Sequence, residues 1–579
     1  MIQSPPLPYS AIAFTALLAT PLAYPGFFPH DVNILSASAA TLLFVIAIAF
    51  ENRGAILLPT KFLTALGLLV SIQLWLYGSQ QLLSVSTWLL QLLLYSMAGL
   101  MFVAGASVPV KSLQRWLQLY LLAAILWSAI GLFVWLGGTD GEALRVGPFT
   151  ITMPPAIKLA GPFNQGNVFA GLTGFALLFS HWFAWKKKHW KYVVAATFFT
   201  AMLFDTLSRG GWLAFSLSIA ALLFAIKPDK QTWLRCFLLP WLCGITIGVL
   251  LSHYSQPALA HEQSMISVIN TAGTSLTARL TIWATALAEF LQAPFTGNGW
   301  GQYAARSWLV APQAASLLAS AGQPHQLANV YFSAHNLFLH IMAEGGIIAL
   351  LATLTALWSL MACSIRLLKK AHNIRICYAL AAIAFIIQSQ INIIYTKPVP
   401  LLLFAFFAGV AMAPRLRRYN RKHHLHRIIL ILLPIMTALY LIWSTPVIMQ
   451  WFRAEKALYA FDFNDEASVK TLASFTDTAR IGAIPAIWIT YQVAVTGQHR
   501  GLLKWSIPPL TQATRDLPLI PSYQLLFYAL AGTGSLQQAC KIGEIISNQH
   551  FSLDHNNKAY QESCTGKVPA EYNFSQTKP

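Results

Sequence analysis

The sequence predicts an all-α, polytopic transmembrane helix bundle of about 13 spans, followed by a helical domain outside the membrane. Hydrophobic residue types make up 56% of the 579 residues and charged types only 10%, whereas soluble domains carry about 25% charged residues. Long, nearly uncharged apolar runs recur between residues 10 and 446, and several reach the ~20 residues that a helix needs to cross a bilayer. A soluble globule and a disordered chain are therefore both excluded.

The apolar runs mark thirteen candidate spans. Some are shorter than a bilayer requires, so we expect neighbouring helices to tilt, break or share loops. The spans are 10–28, 33–50, 60–77, 84–106, 116–136, 164–185, 190–207, 211–226, 233–252, 337–363, 374–394, 399–413 and 428–446.

The positive charges predict the orientation of these spans. Alternate loops hold 21 Lys and Arg, whereas the opposite short loops hold four, Arg145, Lys158, Arg209 and Lys397. By the positive-inside rule, the N-terminus is cytoplasmic and the C-terminal tail lies outside. The net charge of +19 thus reflects membrane orientation, and its placement argues against a nucleic-acid groove.

The same count divides the chain into a membrane domain, 1–446, and an outer helical domain, 447–579. The membrane domain contains a long outer loop, 253–336, whose length favours a functional role. In the tail, the segments 451–461, 483–495 and 522–547 show helical periodicity. The last segment predicts a helix pair turning at Gly532 and Gly534. Tetratricopeptide-like hairpins, a peptide-docking module and a plain helical cap all remain open.

Two cysteines of the tail, Cys540 and Cys564, lie on the predicted outer side. An oxidising compartment permits them to pair, but one sequence does not give their separation, so both the disulfide and two free thiols remain open.

Several polar residues stand at the outer ends of spans, where they call for explanation. In GPFNQGN, the amides of Asn164, Gln165 and Asn167 can hydrogen-bond sugar or phosphate oxygens; the alternative is that Asn164 caps the helix. In DTLSRGG, Arg209 can pair with Asp205 four residues earlier, or present its planar fork to a phosphate. Gly210 and Gly211 would let a ligand approach the backbone.

The long outer loop adds a second arginine and a histidine. Arg279 lies on a predicted amphipathic surface helix, 275–291, and is a second candidate phosphate ligand. A G-x-G-x-G run follows at 297–301 and predicts a tight loop that a ligand approaches closely. His335 and Asn336 stand where the loop meets the next span. Asn336 is a candidate substrate-binding residue, and His335 can accept a proton near neutral pH. A structural role for this histidine is the alternative.

Other chemistries lack their motifs. The sequence has no H-E-x-x-H or paired C-x-x-C for zinc, no Walker motif for ATP and no G-x-S-x-G for a hydrolase elbow.

The ordered motifs resemble the bacterial O-antigen ligase and polymerase superfamily with its Wzy-C-type region, most closely the protein O-oligosaccharyltransferases that glycosylate pilins. The matching segments are FNQGN at 163–167, SRGGW at 208–212, ARLTIW at 278–283, PFTGNGWGQY at 294–303 and AHNLFLHIMAEGG at 334–346.

This resemblance implies a multi-pass enzyme of the bacterial inner membrane with a periplasmic C-terminal domain. Its donor would be an oligosaccharide on undecaprenyl pyrophosphate, and its acceptor a Ser or Thr of a pilin or other exported protein. It implies no metal and no nucleotide cofactor, and membrane lipid but no nucleic acid as partner. It also implies that His335 is the essential histidine of the loop, with Gln165 and Tyr395 as further functional residues.

The residues themselves suggest how such a transfer would proceed. Arg209 and Arg279, assisted by Lys158 or Arg306, would stabilise the leaving diphosphate, while His335 takes the acceptor proton. We expect a single displacement with inversion, because no paired carboxylates indicate a covalent intermediate. The alternatives are an O-antigen ligase that transfers to lipid A-core and a transporter of lipid-linked glycans.

Overall fold

In the computed structural model the described part of the chain is almost entirely helical. Its described residues are 8–23, 29–51, 60–79, 81–136, 144–146, 149–151, 159–163, 165–254, 272–322, 333–370, 372–416, 423–459, 466–475, 504, 506–516, 520–547 and 564–565. One two-stranded antiparallel hairpin joins β1 (Leu144–Val146) to β2 (Phe149–Ile151), with Arg145 opposite Thr150.

Helices form at all thirteen predicted spans. Those of the membrane domain are α1 (Tyr9–Ala23), α2 (Pro29–Glu51), α3 (Thr60–Gly78), α4 (Val85–Ser107), α5 (Leu113–Trp135), α6 (Gly166–Lys187), α7 (Trp190–Asp205), α8 (Arg209–Ile226), α9 (Lys230–Trp233), which continues through a π-helical turn (Leu234–Leu238) into α10 (Leu239–Tyr254), α11 (Ala272–Gln292), α12 (Tyr303–Ser307), α13 (Ala311–Ser320), α14 (Leu337–Leu368), α15 (Arg375–Ser389) and α16 (Pro398–Met412). The last helices in the chain are α17 (His423–Tyr459), α18 (Glu466–Ala473), α19 (Ile507–Asp516), α20 (Ile520–Gly532) and α21 (Leu536–Ser547).

Eight helical segments among the described residues are long and apolar enough to cross a membrane, and Tyr9–Pro21, Thr64–Gly78 and Arg375–Ser389 are shorter apolar helices. An all-α, multi-pass membrane protein is therefore confirmed, while the number of thirteen spans stays a prediction.

The core of the bundle is built around α6 and α16. From Val168 to Ala184, every side chain of α6 is buried, as expected for a helix that is apolar all round and surrounded by others. Close packing at small residues joins α16 to α4: a Cβ on Gly105 would collide with the Phe406 carbonyl, and one on Gly409 with the Phe102 carbonyl. Such small-residue contacts are how membrane helices approach closely.

The contacts between helix ends agree with the two-sided arrangement predicted from the charges. At predicted inner loops, Lys186 Nζ lies 3.3 Å from His372 Nδ1, and the rings of Trp185 and His372 stack. At predicted outer ends, Gln388 Nε2 donates to the Asn167 carbonyl and Asn336 Nδ2 donates to the Gln390 carbonyl. The loops assigned to one face thus meet each other, which makes the predicted topology internally consistent.

The long outer loop is partly helical and docks on α14. The helices α11, α12 and α13 lie within it. Between them, the glycine loop, 297–301, donates from Asn298 N to the Ala343 carbonyl (3.0 Å) and from Gly299 N to the Glu344 carbonyl (2.9 Å). The glycine loop packs against Gly346, whose φ of +66° interrupts the regular geometry of α14.

The tail contacts the same loop. Trp308 packs in one apolar cluster with Leu510, Leu526 and Phe527 of α19 and α20, and its ring centroid is 5.5 Å from that of Tyr523. The predicted helix pair is present: α20 ends at Gly532, and Gly534 has a φ of +79° before α21. Cys540 forms a disulfide with Cys564, which decides between the two alternatives.

Two predictions for the tail concern its boundary with the membrane domain and a helix at 483–495. The predicted boundary between residues 446 and 447 falls inside α17, which continues from 423 to 459 as one helix with Pro434 and Pro446 inside it. The predicted helix 483–495 lies outside the described residues. The division into two domains remains a prediction.

Candidate functional site

The first element of the site is the N-terminus of α8. Ser208 caps the helix by accepting from Gly211 N, and the exposed Arg209 is its first residue. The predicted pairing of Asp205 with Arg209 on one helix face is wrong, because α7 ends at Asp205 and the chain turns back through Leu207 at a φ of +52°. Asp205 instead accepts a hydrogen bond from Ser252 Oγ at 2.7 Å.

The second predicted arginine lies near the first. Arg279 projects from α11, where burial first, and then the positive charge of Arg209, lowers its guanidinium pKa. Among the described residues, no carboxylate forms an ion pair with Arg279. Two positive charges that act on each other, the exposed Arg209 and the half-buried Arg279, favour the entry of an anion.

His335 is the third member of this cluster. Burial, followed by the charge of Arg279, lowers the pKa of His335 to about 4, so the imidazole is neutral and can accept a proton at neutral pH. Its backbone has a φ of +50°, a left-handed conformation that is uncommon for residues other than Gly, although His adopts it more often than most, as Asn and Asp do. Strained residues of this kind cluster at functional sites, which supports a functional role for His335.

Asn336 and Tyr395 hold the turn that carries His335. Asn336 caps α14 by accepting from Phe338 N and Leu339 N, and its Nδ2 donates to the Gln390 carbonyl. The buried Tyr395 donates its hydroxyl to the Asn336 carbonyl at 3.5 Å, and burial raises the pKa of Tyr395. The Asn336 side chain thus has structural partners, and its predicted contact with substrate stays a prediction.

The predicted amide group at the start of α6 is only partly described. Gln165 occupies the N-cap position, yet its side chain forms no capping hydrogen bond, and its buried Oε1 has no partner among the residues that the structure describes. Asn167 is half-buried, and its carbonyl accepts from Gln388 Nε2 at 2.7 Å. Asn164, the other candidate cap, lies outside the described residues.

The sequence interpretation missed the end of α15, which joins these parts. Gln388 contacts the start of α6, Gln390 accepts from Asn336, and Asn392 lies against Gly210 of α8. Gln388 Oε1 and Asn392 Nδ2 are buried without hydrogen-bond partners. The signal was present as Gln, Ser, Gln and Asn within QSQIN at the end of an apolar run, where polar residues need a reason.

The glycines meet protein atoms rather than an open ligand surface. A Cβ on Gly210 would lie 2.5 Å from Asn392 Nδ2, and one on Gly211 2.9 Å from Ala170 Cβ. In the glycine loop, Gly297, Gly299 and Gly301 all have positive φ. A Cβ on Gly297 would collide with the backbone of Glu344 and Gly345. Close helix packing therefore accounts for these glycines, and the expectation that they admit a ligand stays a prediction.

Beneath the glycine loop lies a buried ionisable pair. His340 Nε2 and Glu344 Oε2, one turn apart on α14, are 3.5 Å apart, and Glu344 Oε1 accepts from Tyr303 N. The ring centroids of Tyr303 and Tyr395 lie 5.3 and 5.2 Å from that of His340. His340 and Glu344 therefore connect Tyr303, which follows the glycine loop, to Tyr395, which supports the turn of His335.

The remaining cations have other positions. Arg306 donates from Nη2 to the Gln81 carbonyl at 2.8 Å, so one of its five N–H groups is used in a structural contact, and its assistance stays a prediction. Lys158 lies outside the described residues. In the described part of the chain, no three His, Cys, Asp or Glu side chains gather as metal ligands would.

Comparison with known families gives one match, to the family described as O-antigen ligase, over residues 193–354. No curated protein matches the chain. The matched segment contains Arg209, Arg279 and His335, while Gln165 and Tyr395 lie beyond it. This similarity supports a glycan transferase of the O-antigen ligase superfamily.

Proposed function

We propose that this protein transfers an oligosaccharide from undecaprenyl pyrophosphate to a Ser or Thr hydroxyl of a pilin or other exported protein. The observation that supports the proposal is a chain of electrostatic effects: the charge of Arg209, the first residue of α8, lowers the pKa of Arg279, and the charge of Arg279 lowers the pKa of His335. Two cations with a neutral imidazole fit an anionic leaving group beside a nucleophile that must lose a proton.

In the proposed reaction, the acceptor oxygen attacks the anomeric carbon of the donor sugar. The bond from that carbon to the diphosphate oxygen breaks, and undecaprenyl diphosphate leaves with the bonding electrons. Arg209 and Arg279 stabilise the charge that grows on the diphosphate. The proton of the hydroxyl passes to the His335 imidazole, and the negative diphosphate nearby favours the imidazolium that forms. One displacement inverts the anomeric centre.

The other parts of the chain have matching roles in this proposal. Gln165, Asn164, Asn167 and Asn336 bind the donor head group, and Tyr395 supports the His335 turn and contacts substrate. Apolar helix surfaces in the inner membrane hold the polyprenyl chain. The tail, which packs on the outer loop through Trp308, receives the acceptor protein in the periplasm. The Cys540–Cys564 disulfide is in keeping with that oxidising compartment.

A second candidate is transfer of the glycan to lipid A-core. The description of the matching family as O-antigen ligase favours it, whereas the outer helical domain favours a protein acceptor.

The test combines purified full-length protein with lipid-linked oligosaccharide, in detergent and without ATP, and offers pilin or lipid A-core in separate reactions. Added glycan mass on the pilin is expected. Added mass on lipid A-core alone would replace the acceptor, and absence of any glycosidic product would overturn the proposed function.

Substitution of His335, the proposed base, tests the mechanism of glycan transfer directly. His335→Ala should lower transfer by about 10²–10⁴-fold while the variant remains inserted and folded. His372→Ala is the matched control, because His372 lies at the opposite ends of the helices and should leave transfer unchanged. Wild-type transfer by His335→Ala would remove the histidine from the mechanism.

A further inference from the structure

We infer that Asn392 binds the donor directly, with its side-chain amide donating a hydrogen bond to the diphosphate held beside the first turn of α8. The inference deepens the proposed function, on which it rests, by adding a substrate-binding residue to the same site.

The first observation is an amide with no partner. Asn392 is 2% exposed, and its buried Nδ2 has no hydrogen-bond partner in the described part of the chain. Its backbone N donates to the Gln388 carbonyl at 3.0 Å, so the residue itself is held in place. A buried polar group left unsatisfied costs about 1–3 kcal/mol, and an apolar side chain would fill the same place without that cost.

The second observation is the surface that the amide faces. A Cβ on Gly210 would lie 2.5 Å from Asn392 Nδ2, so the amide lies directly on the first turn of α8, next to Arg209. N–H groups in the first turn of a helix lack intrahelical acceptors, and the helix dipole is positive there. Ser208 Oγ satisfies Gly211 N, and the N–H groups before it can contribute to an anion site.

These observations combine into one subsite. The amide, the start of an 18-residue helix and the Arg209 guanidinium all favour negative charge, and Arg279 adds a second cation nearby. Because Nδ2 of Asn392 has no hydrogen-bond partner among the described residues, the amide can turn about its Cβ–Cγ bond to direct its N–H groups at a bound phosphate.

The first test is Asn392→Leu, assayed with inorganic pyrophosphate as the probe. Pyrophosphate binding to the purified full chain, measured by calorimetry, should weaken roughly 10- to 100-fold, as loss of a hydrogen bond to a charged group implies. The thermal midpoint should equal or exceed that of wild type, because an unsatisfied amide is removed. Gln118→Leu on α5, whose amide donates to the Tyr192 hydroxyl, is the control and should bind pyrophosphate like wild type.

Several outcomes would overturn the inference. These are wild-type pyrophosphate binding by Asn392→Leu, weaker binding that only follows a fall in thermal midpoint, and no pyrophosphate binding by the wild-type chain. Because the readout is binding, the inference can fail while glycan transfer is observed. Conversely, Asn392-dependent pyrophosphate binding without any transfer would contradict the proposed function alone.

The second test uses the contact with Gly210. The added methyl of Gly210→Ala would displace the Asn392 amide, so it should weaken pyrophosphate binding in the wild-type background and much less in the Asn392→Ala background. Gly67→Ala on α3, where a Cβ would meet nothing within 4 Å, controls for a Gly-to-Ala change. Equal effects of Gly210→Ala in both backgrounds would overturn the coupling and, with it, the inference.

Discussion

Two groups of side-chain amides in this protein differ in how their polar atoms are used. At the glycine loop, Asn298 Nδ2 donates to the Glu289 carbonyl, Gln302 Oε1 accepts from Leu83 N and Ser84 N, and Gln73 Oε1 accepts from Trp300 N. Around the first turns of α6 and α8, Gln165 Oε1, Gln388 Oε1 and Asn392 Nδ2 are buried without partners.

The difference separates stabilising amides from binding amides. A buried amide bonded to the main chain contributes to the stability of the fold, whereas an unsatisfied one lowers stability until a ligand supplies the missing partner. The second group includes Asn392, which lies against Gly210 next to Arg209. Substitutions in the two groups should therefore separate loss of stability from loss of binding.

The largest loss of activity is expected on removal of the Arg279 charge. Arg279→Gln should lower kcat/KM for the lipid-linked donor by about 10²–10³-fold, the usual cost of removing one group that stabilises a developing anion. Arg375→Gln, at the start of α15 on the predicted inner side, is the matched control. A wild-type kcat/KM in the Arg279 variant would mean that the diphosphate binds elsewhere.

Among the bonded amides, Gln302→Leu should reduce stability rather than chemistry. It leaves Leu83 N, Ser84 N and the Ser84 carbonyl without their partner, at about 1–3 kcal/mol for each buried group. The thermal midpoint should fall clearly, while kcat per folded molecule stays at the wild-type value. Gln231→Leu, at an exposed position, should not change the midpoint. A loss of kcat without a loss of stability would reverse the assignment of the two groups.

Gln165→Leu should show the opposite behaviour. Because Gln165 Oε1 has no partner, removing it should leave the thermal midpoint unchanged or raise it, and should weaken donor binding roughly tenfold. The measurement is KM for the lipid-linked donor beside the melting curve, again with Gln118→Leu as control. A lower midpoint with an unchanged KM would place Gln165 among the structural amides.

The smallest expected effect is on the pH dependence of kcat/KM. With the His335 pKa lowered to about 4, kcat/KM should rise with pH through about 4 and then level off, since the neutral imidazole is the active form. Arg279→Gln removes a positive charge that lowers this pKa, so the rising limb should move to higher pH, while burial keeps it below the usual value. An unshifted limb would show that Arg279 and His335 do not interact.

Much of the architecture could be predicted from the sequence because it depends on composition and periodicity. The apolar runs predicted helices at all thirteen positions, and the spacing at 522–547 predicted the α20–α21 hairpin with its Gly turn. The motifs FNQGN, SRGGW, ARLTIW and AHNLF directed attention to Gln165, Arg209, Arg279 and His335. The family match at 193–354 supports the superfamily suggested by these motifs.

Partners of individual side chains were less predictable. Asp205 and Arg209 have the spacing of a helical pair, but a turn after Asp205 separates them onto two helices. The glycines of 297–301 resembled a ligand loop, yet they permit close packing on α14. Asn392 stood unremarked in an apolar segment, because its importance depends on Gly210, a residue 182 positions earlier in the chain.

By itself, the sequence determined that this chain is a helical membrane protein with one positively charged side, because burial of apolar surface in lipid and the cost of moving charge across it act on local composition. Only the tertiary structure decided which polar groups face each other. That outcome depends on how distant helix ends meet and on which hydrogen-bonding atoms remain unsatisfied once they have packed, and no local pattern of residues specifies either.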